Sequence, residues 1–249
     1  MLKEERHQTI LTQVELHNRV LLTDIAEKLD VSIDTVRRDV KELDQESKLR
    51  KVHGGAISLG FTTNSVRNNN IYAINQKLTI AEKAARLLKN GAVIFIDGGT
   101  TCLEFARIIP LDVQLTCFTL SLPVAMELTN KPNVEVIFVG GQISKEAQIT
   151  IGARATNMLS EINVDYSFIG TGYVDVSFGL TDFDWDIVQV KKAVINASKK
   201  AVLLCISEKL NSQHRYKICD INAIDTMVTE LDWNDDQLKL FSNHDVHIF

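Results

Sequence analysis

The sequence predicts two structural units: a small, mainly helical N-terminal unit that ends in a β-hairpin, and a larger α/β unit with a mostly parallel sheet. Two patterns indicate this division. Over roughly the first 50 residues, apolar residues recur at helical spacing, and two of the helices are separated only by Asp30-Val31-Ser32. Beyond Gly91, short apolar runs alternate with amphipathic stretches, which is typical of a parallel sheet covered by helices on both faces.

Two short helices carry the clearest pattern of the N-terminal unit. We expect the first over residues 24–29 with Thr23 as its N-cap, and the second to begin after the N-cap Ser32. Apolar residues at helical spacing would bury one face of the second helix. The opposite face of the second helix, which would face solvent, carries Thr35, Arg37, Arg38 and Lys41. A short turn between two small helices, the second with paired arginines, is typical of a helix-turn-helix whose second helix enters the DNA major groove.

A basic run follows this helix and predicts a hairpin. Lys48, Arg50 and Lys51 lead into Val52 and His53, and Gly54-Gly55 favours a tight turn. Such a hairpin would form a wing that lies over DNA phosphates, with the three basic side chains and His53 as its contacts.

The alternative interpretation of the paired arginines is a solvated helix face. Asp34 and Glu42 lie four residues on either side of Arg38 and could pair with it. The wing at this distance favours DNA binding. Because the net charge is -5 and the pI is about 5.7, we expect a small basic footprint that reads a defined site, with an affinity that falls as salt rises.

The N-terminal residues resemble the DNA-binding domain of DeoR-family bacterial transcription regulators. The resemblance runs without a gap over residues 1–56 and rests on Arg6, on residues 35–39 and on residues 52–56. It implies a winged helix-turn-helix domain over residues 1–56 that binds double-stranded operator DNA. Residues 57–73 lack a clear period and are rich in Ser, Thr, Asn and Gly, so we expect a linker there.

Composition argues against several classes of protein. No apolar stretch reaches the roughly 18–20 residues that a membrane span needs, and residues 1–6 run into a helix without an apolar signal region. We therefore expect a cytoplasmic protein with no membrane partner. The 4 cysteines are dispersed and the 6 histidines show no ligand spacing, so the sequence predicts neither a metal site nor a cofactor.

The larger unit is expected over residues 74–249, beginning with a helix at residues 74–89. Apolar runs predict strands at residues 92–96, 113–119, 134–139, 164–169, 201–206 and 224–228. Amphipathic stretches predict helices at residues 102–109, 123–128, 153–162 and 186–198, then a helix at 233–241 and a strand at 246–249.

A glycine loop follows the first of these strands. Asp97-Gly98-Gly99-Thr100-Thr101 would lie at the carboxyl end of the strand, where ligands of parallel sheets usually bind. The glycines allow close backbone approach, and the helix that follows offers unpaired N–H groups and the positive end of its dipole. These features favour a phosphate or carboxylate ligand. An ordinary tight turn is the alternative.

Further glycine loops follow other strands of the predicted sheet. Gly140-Gly141 follows the third strand and Gly170-Thr171-Gly172 the fourth, while Lys209 follows the strand at residues 201–206. Because the carboxyl ends of parallel strands lie along one edge, we expect these loops to converge on a phosphate-sized pocket with Lys209 as a counter-charge.

Residues 75–249 resemble the sensor domain of the DeoR family, which is similar in fold to ribose-5-phosphate isomerase and the coenzyme A transferases. The resemblance implies that residues 94–101 form a phosphate loop, that Lys191 lies at the same site, and that the ligand is a phosphorylated sugar or related metabolite. Phe183-Asp184-Trp185 is similar to a stretch in the glycerol-3-phosphate repressor branch. Three positions that are polar in the family are apolar here: Leu120, Ile187 and Ile206. We therefore expect a less polar pocket.

Together these patterns predict a transcriptional regulator, not an enzyme, which represses a carbohydrate-metabolism operon under the control of a phosphorylated effector. Two-fold related recognition helices multiply specificity on a palindromic site, so we expect a homodimer or homotetramer. One alternative is a constitutive DNA-binding oligomer with a vestigial pocket. Another is a sugar-phosphate isomerase with Asp97 as its base, although Ile187 and Ile206 leave the neighbouring positions apolar.

Overall fold

The computed structural model describes residues 1–59 and 71–249, and the chain divides into two compact units, Met1–Tyr72 and Ala73–Phe249. The first unit contains the helices α1 (Lys3–His17), α2 (Leu22–Leu29) and α3 (Ile33–Gln45). Its strands are β1 (Arg19–Leu21), β2 (Arg50–Val52) and β3 (Gly55–Ile57). They form an antiparallel sheet in the order β1-β3-β2, so the expected helix-turn-helix with a hairpin wing is confirmed.

The caps of the two short helices differ from one another. The Ser32 Oγ accepts a hydrogen bond of 3.2 Å from the backbone N–H of Thr35, which confirms Ser32 as the N-cap of α3. The expectation that Thr23 caps α2 is wrong, because the helix already begins at Leu22. The N–H of Leu22 instead donates to the carbonyl of Gly54 at 3.0 Å, so the wing provides the partner that a capping side chain would otherwise supply.

The first unit continues past residue 56. Strand β3 extends to Ile57, which pairs with Arg19, and the side chain of Ser58 is buried. The linker that was expected over residues 57–73 therefore begins too early by at least these two residues. Residues 60–70 of that stretch lie outside the described residues.

The second unit is built on a parallel sheet of seven strands in the order β15-β14-β12-β9-β4-β5-β6. Its strands are β4 (Ala92–Ile96), β5 (Leu115–Thr119), β6 (Val134–Phe138), β9 (Tyr166–Gly170), β12 (Ala201–Leu204), β14 (Thr226–Val228) and β15 (His247–Ile248). The helices are α4 (Ile74–Ala85), α5 (Thr100–Ile108), α6 (Leu122–Leu128), α7 (Ala153–Ser160) and α8 (Trp185–Asn196). The predicted α/β class is thus confirmed.

Two small antiparallel elements accompany this sheet and were not predicted. The strands β7 (Gln142–Ser144) and β8 (Ile149–Ile151) form a hairpin. The strands β10 (Tyr173–Asp175), β11 (Gly179–Asp182) and β13 (Tyr216–Cys219) form a second sheet. Each of these strands has only three or four residues, too few to show an alternating pattern.

The helix that was expected over residues 233–241 is wrong. Only the 3₁₀ turns Asp236–Leu238 and Phe241–Asn243 form there. Leu238 and Phe241 are both fully buried, which accounts for the helix-like spacing of the apolar residues. The Asp235 carboxylate accepts a hydrogen bond from the N–H of Gln237 and thereby starts the first turn, while the turns remain too short to continue as an α-helix.

The described residues contain neither a membrane-spanning helix nor a group of metal ligands nor a disulfide. Among their helices, none combines the length and the apolar character that crossing a membrane requires. Their His, Cys, Asp and Glu side chains form no group of three that could hold a metal ion. The four cysteines are free, and burial raises the pKa of the Cys219 thiol to about 11, so this thiol is protonated at neutral pH.

Candidate functional site

Helix α3 presents its basic side chains to solvent. Arg37 pairs with Asp34 one turn away, and Glu42 pairs with Lys3 at 2.5 Å. Both acidic residues that could have neutralised Arg38 are therefore engaged with other cations. Within residues 1–59 and 71–249, the exposed Arg38 has no ion pair or hydrogen bond from its side chain. Its charge is available to a ligand in solution.

Asp39 holds the opposite face of α3 against α1. The buried carboxylate of Asp39 accepts two hydrogen bonds from the Arg6 guanidinium, at 2.7 Å from Nε and 3.1 Å from Nη2. The two-pronged geometry fixes direction as well as distance. Because Asp39 points inward, the preceding residues Arg37 and Arg38 point outward. Asp39 and Arg6 were recognised in the sequence as family residues, but their pairing was not foreseen.

The wing depends on two glycines. Gly54 adopts a φ of 70° in the turn between β2 and β3, a conformation that favours glycine. At Gly55 an added Cβ would lie 2.3 Å from the carbonyl oxygen of Val20, so only glycine lets β3 approach β1. The backbone N–H of Lys51 donates to the Asp44 carboxylate at 2.9 Å and ties the wing to α3. The exposed side chains of this region are Lys48, Arg50, Lys51 and His53.

In the second unit, two of the predicted glycine loops meet. Strands β4 and β9 are neighbours, and a Cβ added to Gly170 would lie 3.3 Å from the carbonyl oxygen of Gly98. A Cβ on Gly98 would lie 2.5 Å from the Ile149 Cγ2, so packing also requires glycine there. The exposed Gly140 and Gly141 follow β6, which β5 separates from β4. They are therefore not neighbours of the loop after β4.

An ion pair joins the loops that follow β4 and β9. Lys191 on α8 pairs with the carboxylate of Asp97 and donates to the carbonyl of Gly170 at 2.6 Å. The same carboxylate accepts a hydrogen bond of 3.2 Å from the N–H of Gly170. Burial alone would lower the pKa of Lys191, but the Asp97 carboxylate outweighs burial and raises it above its usual range. Asp97 and Lys191 thus hold the two loops together.

The loop after β4 leads into a helix N-terminus without a side-chain cap. Gly99 occupies the N-cap position with a φ of 102°, and among residues 1–59 and 71–249 no side chain caps the first turn of α5. Thr100 and Thr101 in that turn are buried. The first N–H groups of a helix need a partner outside the helix, and an anion is the partner that the helix dipole favours.

Lys209 lies in the 3₁₀ turn Ser207–Lys209 that follows β12, beside this region. Its side chain is 8% exposed, and its Nζ donates to the carbonyl of Thr171 at 2.9 Å. Within the described parts of the chain no carboxylate lies within 4 Å of Nζ. Burial lowers the pKa of Lys209, because the charged form loses hydration, and the Asp182 carboxylate acts in the opposite direction without outweighing burial.

A carboxylate just after β14 positions the turn that carries Lys209. Glu230 accepts hydrogen bonds from the Ser207 backbone N–H at 3.1 Å and from the Ser207 Oγ at 2.5 Å. This contact joins residues that lie 23 positions apart in the chain. Sequence reasoning missed it because no local pattern links a strand end to a distant turn.

The three apolar departures lie mainly in the interior. Leu120 is fully buried and Ile187 packs against the same hydrophobic cluster. Ile206 is 1% exposed. These side chains therefore replace polar groups at the back of the region, where they contribute packing.

Comparison with known proteins decides the family. The DeoR-like helix-turn-helix domain matches residues 6–61, and the DeoR C-terminal sensor domain matches residues 72–231. The chain belongs to the DeoR family. It is a DNA-binding transcriptional regulator with a C-terminal sensor domain, as the sequence predicted.

Several relatives are similar over nearly their whole length. A glycerol-3-phosphate regulon repressor of Haemophilus influenzae is 30% identical, covering 90% of this chain and 88% of the relative. A protein with the same name from Escherichia coli is 26% identical, covering 100% and 99%. The L-fucose operon activator of Haemophilus influenzae is 28% identical over 97% of each chain. Among solved structures, ribose 5-phosphate isomerase A from Methanocaldococcus jannaschii is similar over 55% of this chain and 54% of its own, with a TM-score of 0.41 and 21% identity.

Proposed function

We propose that this DeoR-family regulator represses a carbohydrate-metabolism operon and leaves its operator when a phosphorylated sugar or related metabolite binds the sensor unit. The relatives named glycerol-3-phosphate regulon repressors support a three-carbon phosphate as the first compound to try. The observation that carries the proposal is the buried ammonium group of Lys209.

Lys209 is a buried cation that no carboxylate contacts within residues 1–59 and 71–249. A buried charge is costly unless an opposite charge and hydrogen bonds compensate it, and among these residues the Lys209 Nζ donates only to the neutral carbonyl of Thr171. A dianionic phosphate would supply the missing charge. The uncapped first turn of α5 and the loop Gly98–Thr101 supply N–H donors of the kind that phosphate accepts. Asp97, Lys191 and Gly170 hold this site in shape.

The DNA contacts are proposed for the exposed side of the first unit. Arg38 and Lys41 would reach base edges, while Ser32, Thr35 and Arg37 would contact the flanking backbone. Lys48, Arg50, Lys51 and His53 would contact phosphates from the wing. Operator binding by a homodimer or homotetramer would double the short sequence that one recognition helix can read.

Effector control then needs a shift between two arrangements of the protein. An effector that binds one arrangement better increases its population, and release follows if that arrangement fits the operator less well. The isomerase alternative is disfavoured because Asp97, the carboxylate it would use as a base, is held in an ion pair with Lys191.

A thermal-shift screen tests the proposal. Phosphorylated sugars and polyols are added to the wild-type protein, to Lys209→Met and to Lys200→Met, which removes an exposed lysine just before β12. At least one compound should raise the Tm of the wild type and of Lys200→Met but not of Lys209→Met, and it should release a duplex selected from a random library. A wild-type Tm that no phosphorylated compound changes would favour the vestigial pocket.

A further inference from the structure

Asp182, at the end of β11, is a second buried charge: within residues 1–59 and 71–249 it forms no ion pair within 4 Å, and the Lys191 ammonium lowers its pKa only from a longer distance. Its side chain is 8% exposed. One carboxylate oxygen, Oδ1, accepts hydrogen bonds from the backbone N–H groups of Phe183 at 2.7 Å and Asp184 at 3.0 Å. The other oxygen, Oδ2, has no hydrogen-bond partner among residues 1–59 and 71–249. Burial raises the pKa of Asp182, which means that the ionised form is held at a cost.

Asp182 and Lys209 lie against the same short loop. The Lys209 Nζ donates to the carbonyl of Thr171, and a Cβ added to the next residue, Gly172, would lie 3.8 Å from the Asp182 Oδ2. The nearby cation Lys191 is already paired with Asp97. In the described part of the chain no ion pair within 4 Å joins Lys209 to Asp182. Two opposite buried charges thus flank one loop without neutralising each other.

A purely structural role does not account for the charge. The turn after β11 uses only Oδ1, and the neutral side chain of asparagine offers the same oxygen to the same two N–H groups. The second oxygen accepts no hydrogen bond within the described residues, and the negative charge acts on Lys191 and Lys209 only at longer range, where it favours their charged forms. A carboxylate oxygen that accepts no hydrogen bond within the described residues can accept one from a donor group on a ligand.

We propose that Asp182 determines the specificity of the effector site: its Oδ2 accepts a hydrogen bond from a hydroxyl or ammonium group of an effector whose phosphate is bound by Lys209. This assignment rests on the proposed function. The effector is then a phosphate ester with a donor group near the phosphate. Three polar positions of the family are apolar here, and Asp182 supplies a polar contact at the front of the site.

Three phosphate esters with a three-carbon chain separate the possible donors. Propyl phosphate has no donor, glycerol 3-phosphate has hydroxyls, and 3-aminopropyl phosphate has an ammonium group. Their Kd values are measured by calorimetry on the wild-type protein and on Asp182→Asn. We expect the better of the two donor-bearing esters to bind the wild type about 10- to 100-fold more tightly than propyl phosphate, as a hydrogen bond to a charged group predicts.

In Asp182→Asn this preference should fall below about threefold, while propyl phosphate binds at least as tightly because a like charge is gone. The matched control is Asp186→Asn, which removes an exposed carboxylate four residues away and should keep the wild-type preference. If the esters bind the wild type and Asp182→Asn keeps the same preference for the donor-bearing ester over propyl phosphate, the role of Asp182 is wrong while the proposed function stands. If no ester binds the wild type, both the proposed function and the role of Asp182 fail.

Discussion

The two units use charge in opposite ways. On the first unit the basic side chains of α3 and the wing are exposed, and Arg38 has no acidic partner among residues 1–59 and 71–249. In the second unit Asp97, Asp182, Lys191 and Lys209 are all buried, each with at most 8% exposure. Exposed charges attract a polyanion at little cost in folding and are screened by salt. Buried charges act in a medium of low dielectric constant and select small ligands, but they make folding depend on their partners.

The largest expected effect comes from breaking the Asp97–Lys191 pair. Lys191→Met leaves a buried carboxylate without its cation and should lower the free energy of unfolding of the second unit by about 3–5 kcal/mol. Urea unfolding followed by tryptophan fluorescence measures this unit selectively, because both tryptophans, Trp185 and Trp233, lie in it.

Two further variants make this test specific. The double variant Asp97→Asn/Lys191→Met removes the orphaned charge and should recover part of the loss. Arg37→Ala breaks the exposed pair with Asp34 on the first unit and should lower the free energy of unfolding of that unit, followed by the circular dichroism of its helices, by less than about 1 kcal/mol. Equal losses of unfolding free energy in Lys191→Met and Arg37→Ala would show that the buried ion pair of the second unit contributes no more to stability than the exposed pair of the first.

Operator affinity should separate the two arginines of α3. Arg38 has no acidic partner, so Arg38→Ala should cost about 1–3 kcal/mol in binding if it contacts a base edge. Arg37 must first leave Asp34, so Arg37→Ala should cost less. The measurement is a titration of a duplex selected by the wild type, with the melting of each variant as a control for folding. A larger loss in Arg37→Ala would reverse the assignment.

The sequence predicted those parts of the fold that repeat over several residues. The first six predicted strands of the parallel sheet form within two residues of their expected bounds, because strands of a covered parallel sheet are continuous apolar runs. The cap of α3 and the meeting of the Gly98 and Gly170 loops were also predictable. The short antiparallel strands β7, β8, β10, β11 and β13 and the turns near Leu238 were not, since tertiary packing decides them.

The candidate site was only half predictable for a related reason. Strand ends identify loops, so the region around Asp97 and Lys209 was found. Asp182 was missed because its strand belongs to the small sheet, which has no visible pattern. Lys191 pairs with Asp97, which lies 94 residues away in the chain. Lys209 instead donates to the carbonyl of Thr171, 38 residues away, and no carboxylate of the described residues contacts it. No local pattern encodes such distances.

The cost of burying Asp182 should be visible as a pH-dependent stability. Because its pKa is raised in the folded protein, the wild type binds the proton more tightly when folded, and stability falls as pH rises above the usual value of 3.8. Asp182→Asn removes this penalty, so its Tm should exceed that of the wild type by an amount that grows as the pH rises above 3.8 and levels off above the raised pKa of Asp182. The exposed Asp186→Asn should show no such trend. A difference in Tm that shrinks with rising pH would contradict the burial of an ionised carboxylate.

The smallest expected effect concerns the wing. Arg50 is exposed on β2, and its proposed contact is a phosphate, which is the same in every sequence. Arg50→Ala should therefore weaken binding equally to selected and random duplexes, and lower the slope of log affinity against log salt by about one unit. Arg86→Ala, which removes an exposed arginine of the second unit, is the matched control and should leave the slope unchanged. If Arg50→Ala changes the sequence preference and leaves the slope unaltered, Arg50 contacts a base edge instead of a phosphate. The wing would then take part in sequence recognition together with α3.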